Sequence, residues 1–368
     1  MSPRSFAPSA AVAALLATGL LACSDDPLAP TPAGSGASSP AAAVAAAATY
    51  SVKDLGTLGG PSAMANSIND QGGIVGWSER ADGRVHAFLY RAGKMQDLGA
   101  LAGGQSEALA INNSDVIVGS SAAASGARRA VRWQNGRITN LGTLGGRNSV
   151  ATAINDLGVI AGWSETAAGK THAFVYRDGV MQDLGTLGGD WSEASGINRA
   201  GKIVGSSSTA SGVDHPFTWK DGVMKDLGTH GHIEGGAAVD INTAGQIAAV
   251  LGPFPDAVGE ELDGSFAFIF YQSAWTSLGA AEPTIERLAI NKAGTVVGWG
   301  EDLRDETFRQ RAWVATPGQL DLLPALTPDG VDEVHANDIN SFGTIVGSST
   351  EVNDNYTGAD HAVLWRRQ

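Results

Sequence analysis

From Tyr50 onward the chain reads as short runs in which large apolar side chains alternate with small or polar ones, broken at close intervals by Gly, Asn and Asp. The segment His172-Ala173-Phe174-Val175-Tyr176 alternates with a period of two and predicts a strand buried on one face. Each such segment is preceded in its unit by a stretch like Ser192 to Asn198, rich in Ala, Ser and Gly, and by a short stretch such as Gly73 to Ser78 or its equivalent. After it come pairs such as Met181 and Leu184. These predict four short strands, a to d, per unit. Two tight turns separate them: Asn69-Asp70-Gln71-Gly72 between a and b, and Arg177-Asp178-Gly179 between c and d. Asn at the first position bonds its own backbone and Gly at the fourth accepts positive φ. No stretch after Tyr50 sustains a helical period, so the class is all-β.

The unit repeats. An Ile-Asn pair stands at Ile68, Ile111, Ile154, Ile197, Ile241, Ile290 and Ile339, with spacings of 43, 43, 43, 44, 49 and 49 residues. Four antiparallel strands in such a unit match a propeller blade, and seven units predict a seven-bladed β-propeller. A linear solenoid is the rival. The chain ends argue against it: the last unit stops at strand c near Trp365, while Tyr50 to Leu55 is a strand d with nothing before it. The N-terminal strand is therefore expected to pair in the last blade and close the ring, removing two exposed edges. Ala65, Ala108, Ala151, Ala194, Ala238 and Ala336 suit a crowded inner strand, and Phe88, Phe174, Phe217, Phe268 and Trp313 are the expected core.

Residues 1–22 carry one basic residue, Arg4, followed by an Ala- and Leu-rich run too short to span a bilayer, and read as a signal peptide. That run ends in Leu20-Leu21-Ala22-Cys23, and Cys23 is the only cysteine of the chain. The sequence resembles the lipobox of bacterial lipoproteins, which implies lipid attachment at Cys23 and an exported chain anchored to the bacterial envelope, at the outer membrane or cell surface. Residues 23–49 hold almost no large apolar side chains and are expected to be a disordered tether of roughly 25 to 30 Å r.m.s. span. Residues 50–368 are the propeller. A formal net charge of −14 disfavours nucleic acid and anionic lipid head groups as partners, and a monomer is expected.

The tripeptides His86-Ala87-Phe88 and His172-Ala173-Phe174, with Asp-Leu-Gly-Thr-Leu-Gly-Gly at Asp54 to Gly60 and Asp183 to Gly189 and Ile-Asn-Asp at Ile68, resemble the extracellular HAF-repeat family. The resemblance covers Tyr50 to Gln368 and decays in the last three units, where Phe266 and Arg311 replace the histidine. It implies an exported or surface-exposed protein and brings no catalytic residues.

Candidate chemistry falls on the upper face, the end that carries the b-to-c and d-to-a loops. Those loops vary, and three are long, at 251–265, 301–310 and 349–360. Variable loops on a rigid scaffold are where binding usually resides. Four residues before each repeat Ile stand Met64, Glu107, Val150, Glu193, Ala237, Glu286 and His335, so Glu107, Glu193, Glu286 and His335 are expected to ring the channel mouth. Trp191 in a d-to-a loop, His230 and His232, Phe254 and Tyr356 are candidate contacts for a protein or glycan.

The repeated histidines His86, His172, His215 and His361 lie one to a blade and are expected to make structural hydrogen bonds rather than share a metal. No cofactor is expected. Asn353, Asp354, Asn355 and Asp360 supply calcium donors without the spacing of an EF-hand loop. Catalytic motifs of linear type are missing, which lowers the expectation of an enzyme. Three readings follow: a binding or scaffold propeller recognising a protein or glycan, an extracellular glycan-active hydrolase or lyase using the channel-mouth carboxylates, and a structural envelope protein without a ligand.

Overall fold

The computed structural model describes residues 49–231, 235–252, 254–255, 261–262, 266–278, 285–301, 310–316, 319–327, 333–350 and 358–368, with the backbone alone for Phe254, Pro255, Glu261, Leu262, Glu286 and Glu301. Cys23, the leader and residues 23–48 of the tether lie outside the described residues, as do most of the three long upper loops. Among the described residues no helix is long and apolar enough to cross a membrane.

Seven four-stranded antiparallel sheets form a ring, a seven-bladed β-propeller. Blade four shows the pattern: strand a Gly188–Ile197, b Ile203–Thr209, c Asp214–Lys220 and d Val223–Asp226. Blade seven is assembled from both chain ends. Its strands a to c are Glu333–Ile339, Ile345–Thr350 and Asp360–Arg367, and its outer strand is Tyr50–Asp54. The register places Val52 opposite Trp365 and Lys53 opposite Leu364. The Leu55 amide then donates to the Ala362 carbonyl at 2.9 Å, continuing the seam.

Packing follows the alternation. Phe88, Phe174 and Phe217 are fully buried, Phe268 and Trp313 nearly so, each stabilising by about 1.5–3 kcal/mol. The six alanines of strand a are buried as well. Strand b supplies their complement: Gly205 lies opposite Ala194, and a Cβ there would stand 2.0 Å from the Glu193 carbonyl oxygen. Only glycine tolerates that approach, so the Val-Gly of strand b is a packing requirement.

The a-to-b turns behave as their sequence predicts and do more besides. Asn112 Oδ1 accepts the amides of Ser114 and Val116 at 3.0 Å each, fixing its own turn. Its Nδ2 donates to the Asn155 carbonyl of the next blade at 3.0 Å. The same bond runs from Asn69 to Asn112, Asn155 to Asn198, Asn198 to Asn242, Asn242 to Asn291, Asn291 to Asn340 and Asn340 back to Asn69. Seven asparagines thus hydrogen-bond in a closed circle around the lower end.

The histidines of strand c are structural. His86, His172 and His215 contact Asp97, Asp183 and Asp226 of strand d through Nδ1 at 2.8 to 2.9 Å. These aspartates also cap the Gly amides two residues on. His361 makes the same pair with Asp54 at 3.2 Å, across the two ends of the chain.

The candidate channel site

The inner strands surround a central channel with two cavities. The lower one, of 820 Å³, is rimmed by the a-to-b turns, with the repeat isoleucines at its inner end. Four of those, Ile68, Ile111, Ile154 and Ile197, also border a cavity of 380 Å³ above them. These four isoleucines therefore form an apolar boundary shared by the two cavities.

The upper cavity takes its shape from β-bulges. In six blades strand a carries one extra residue two places before the Ile, such as Asn66, Thr152 or Ser195. A bulge re-aims a side chain, and these reach the neighbouring blade. Thr152 Oγ1 donates to the Ala194 carbonyl at 2.6 Å, Ser195 Oγ to Ala238 at 2.7 Å, and Asn337 Nδ2 to Ala65 at 2.9 Å.

Blade six departs from this pattern, and the departure corrects the expected ring of acids. Its bulge falls at Glu286, between Ile285 and Arg287. Arg287 pairs with Trp299 as Met64 pairs with Trp77 and Glu193 with Ser206. The place expected for Glu286 is therefore held by a cation, Arg287, which lines the cavity.

Three carboxylates line that cavity, Asp240, Asp338 and Glu193, and the two aspartates are held by hydrogen bonds. Asp338 accepts from Ser67 Oγ at 2.8 Å and from the amides of Ile68 and Ile339 at 2.9 and 2.7 Å. Asp240 accepts from the amides of Ile290 and Ile241 at 2.9 and 2.7 Å. Burial raises both above the usual carboxylate range, Asp240 to about 6, against the pull of these hydrogen bonds. Burial also disfavours the Arg287 charge, which Asp338, Glu107 and Asp240 favour. Among the described residues the Arg287 side chain makes no hydrogen bond and no ion pair; its electrostatic partners lie at longer range.

The other candidates separate. Glu107 is tied down, ion-paired with Arg128 at 3.1 Å and accepting from Asn66 Nδ2 at 3.2 Å. Glu193 lines the cavity, without a hydrogen-bond partner among the described residues, and burial lifts its carboxyl to about 7 despite the attraction of Arg128. His335 is buried. Its Nε2 hydrogen-bonds with Gln310 Oε1, its Nδ1 stands 3.0 Å from the Ser348 hydroxyl, and Trp299 packs on its ring at 4.2 Å between centroids. Burial lowers it to about 4, so it is neutral near pH 7.

Trp191 lies within strand a, not in a loop, because blade four extends that strand back to Gly188. It is partly exposed. His230 stands apart, against Phe268 at 5.4 Å. His232, Tyr356 and the Asn353 to Asn355 segment lie outside the described residues. Among the described residues no three His, Cys, Asp or Glu side chains are placed to hold a metal ion.

The residues that reading missed are Asp240, Asp338, Arg287 and Arg128. Three of them announce themselves as breaks in the repeat. The residue before the Ile is Ser, Ala, Ala, Gly, Asp, Ala and Asp through the seven units, and three places before it stands Ala in all but one, where Arg287 appears.

The fold defines the class: a seven-bladed β-propeller closed by strands from both chain ends. The described ring is similar to the β-propeller domain of the Trilobed protease from Pyrococcus furiosus, said to have an open velcro topology, with a TM-score of 0.57 and 11% identity over 83% of this chain and 94% of that one. It is also similar to the WD40 β-propeller domain of Doa1, with a TM-score of 0.51 and 13% identity over 87% and 98% of the two chains. A puromycin-hydrolysing peptidase from Mycobacterium tuberculosis gives 0.54 and 12% over 83% of this chain, which spans about half, 51%, of the peptidase. Identities this low establish the fold alone. No family model and no curated protein matches the sequence.

Proposed function

We propose that this chain is an exported, lipid-anchored binding propeller that holds a protein or glycan on its upper face. The lipobox-like Leu20-Leu21-Ala22-Cys23 and the apolar-poor stretch after it support the anchor and tether. The observation that carries the binding reading is a contrast between the two ends of the ring. At the lower end the turn asparagines are spent on blade-to-blade hydrogen bonds. Toward the upper end Glu193 has no hydrogen-bond partner among the described residues and Trp191 is partly exposed. Polar and aromatic groups free of structural duty are those available to a partner.

Glycan arrays and purified envelope proteins, probed with the chain, test this. Binding is expected to fall at least about tenfold in a Trp191→Ala, Glu193→Gln double variant, and to survive Phe342→Ser on the lower rim. The reverse pattern, or no binding at all, contradicts the proposal. For the anchor, Cys23→Ser should move the protein from the membrane to the soluble fraction.

One observation favours a glycan-active enzyme as the second reading. A carboxyl lifted to about 7 in a channel is poised as a general acid, and Glu193 is such a group. Polysaccharide turnover unaffected by Glu193→Gln would dispose of that role. Glu107 is a poorer partner for it, since its charge is already balanced by Arg128.

A further inference from the structure

Arg287 is an oddity within the ring. A guanidinium carries five donors in a fixed fork and keeps its proton even when buried, so a buried arginine is normally met by carboxylates. Here the partly exposed Arg287 lines a cavity with Asp240, Asp338 and Glu193, yet its side chain forms no ion pair with any of them. The guanidinium and the lining carboxylates therefore stand beyond ion-pair distance.

The carboxylates are anchored but not saturated. Asp240 receives one amide on each oxygen, and Asp338 Oδ1 receives one. Each carboxylate oxygen has two lone pairs, so both aspartates keep acceptor capacity after their structural bonds. The remaining lining adds the Glu193 carboxyl to hydroxyls such as Ser195 and to apolar Leu109, Val239 and Leu288.

We propose that the 380 Å³ channel cavity is a binding site for a small zwitterion of the free amino-acid type, its carboxylate received by Arg287 and its ammonium by Asp240 and Asp338. A simple anion is disfavoured by the lining carboxylates Asp240, Asp338 and Glu193, and a simple cation by Arg287. A zwitterion presents both charges a few ångströms apart and satisfies both walls at once. The cavity falls in the size range of small-molecule sites. A sugar fits less well, because no aromatic ring lines the cavity for it to stack on. The elevated titration of Asp240 agrees: burial without a contacting cation is what a bound ammonium would relieve. The cavity shares Glu193 with the proposed partner face, so Trp191, which does not line it, is the position that tells the two apart.

Isothermal titration of the purified full chain with free L-amino acids of graded size tests the proposal. At least one is expected to bind saturably. Its N-acetyl derivative, lacking the ammonium, and its amide, lacking the carboxylate, are each expected to lose about tenfold or more in affinity, and Arg287→Gln to do the same with an unchanged melting temperature. If that variant does not fold, the two blocked ligands decide the matter without it. Absence of saturable binding by every free amino acid up to the order of 10 mM, or equal binding of free and blocked forms, overturns it. Rim variants at Trp191 should leave this binding intact, which separates it from the proposed partner site.

Discussion

At the scale of single residues, the repeat asparagine has two roles, only one of them visible in the turn motif. Asn112 is buried, accepts two amides of its own turn and donates across to the next blade. Asn112→Ala removes all three bonds and strands buried donors, so a loss of about 2–4 kcal/mol is expected, read as a lowered denaturation midpoint at unchanged m value. Glu193 gives a second prediction. Its folded carboxyl is lifted to about 7 from 4.5 by burial. Between those values the folded chain holds a proton that the unfolded chain has released, so this residue's contribution falls as pH rises through the window. Glu193→Gln should match the parent near pH 4 and exceed it by on the order of 2 kcal/mol at pH 8, allowing for the channel's partial hydration. Denaturation at the two pH values reads the difference. His335, lowered to about 4 from 6.5, acts oppositely, adding stability as pH rises through that interval, so the comparison must be made between variants and not read from the parent profile alone.

At the scale of elements, the strand pattern and turns were legible because each is written locally and repeated seven times. The Phe of strand c, the Ala of strand a and the Asn and Gly of the turn all stand where their size and backbone preferences require. The channel chemistry was less legible for a physical reason. A bulge can slide by a residue without disturbing the flanking ladder, and in blade six it does, setting Arg287 where counting back from Ile290 places Glu286. Trp191 was misplaced for a related reason: the Gly-Gly of the repeat continues strand a instead of ending it. Counting along the sequence finds the strands, while register decides which side chains enter the channel. The N-terminal strand bears a prediction at this scale. Excising residues 50–54 while keeping the tether exposes the edge of Asp360–Arg367 and uncovers Trp365, which is fully buried. A melting temperature lower by about 10 °C or more and concentration-dependent aggregation are expected in calorimetry and light scattering.

At the scale of the whole molecule, closure is enforced several times over, within blade seven and between it and blade one. Strand pairing joins Tyr50–Asp54 to Asp360–Arg367, and the Asp54–His361 pair repeats the motif of the other blades. Asn340 completes the asparagine circle at Asn69, and Asp338 binds the Ile68 amide. These contacts span about 270 to 315 residues of sequence, so a closed ring is what gives the channel a fixed width and holds Arg287 apart from Asp240 and Asp338. The most direct measurement is a cysteine pair across the seam, Ser51→Cys with Arg366→Cys in a Cys23→Ser background. These positions are directly opposed, and antiparallel partners have Cα separations of about 4.5–5.5 Å, within disulfide range. Mild oxidation is expected to give a complete intramolecular bridge and a higher melting temperature. Failure to bridge, or bridging only between molecules, would mean that the two ends of the chain do not meet in one blade.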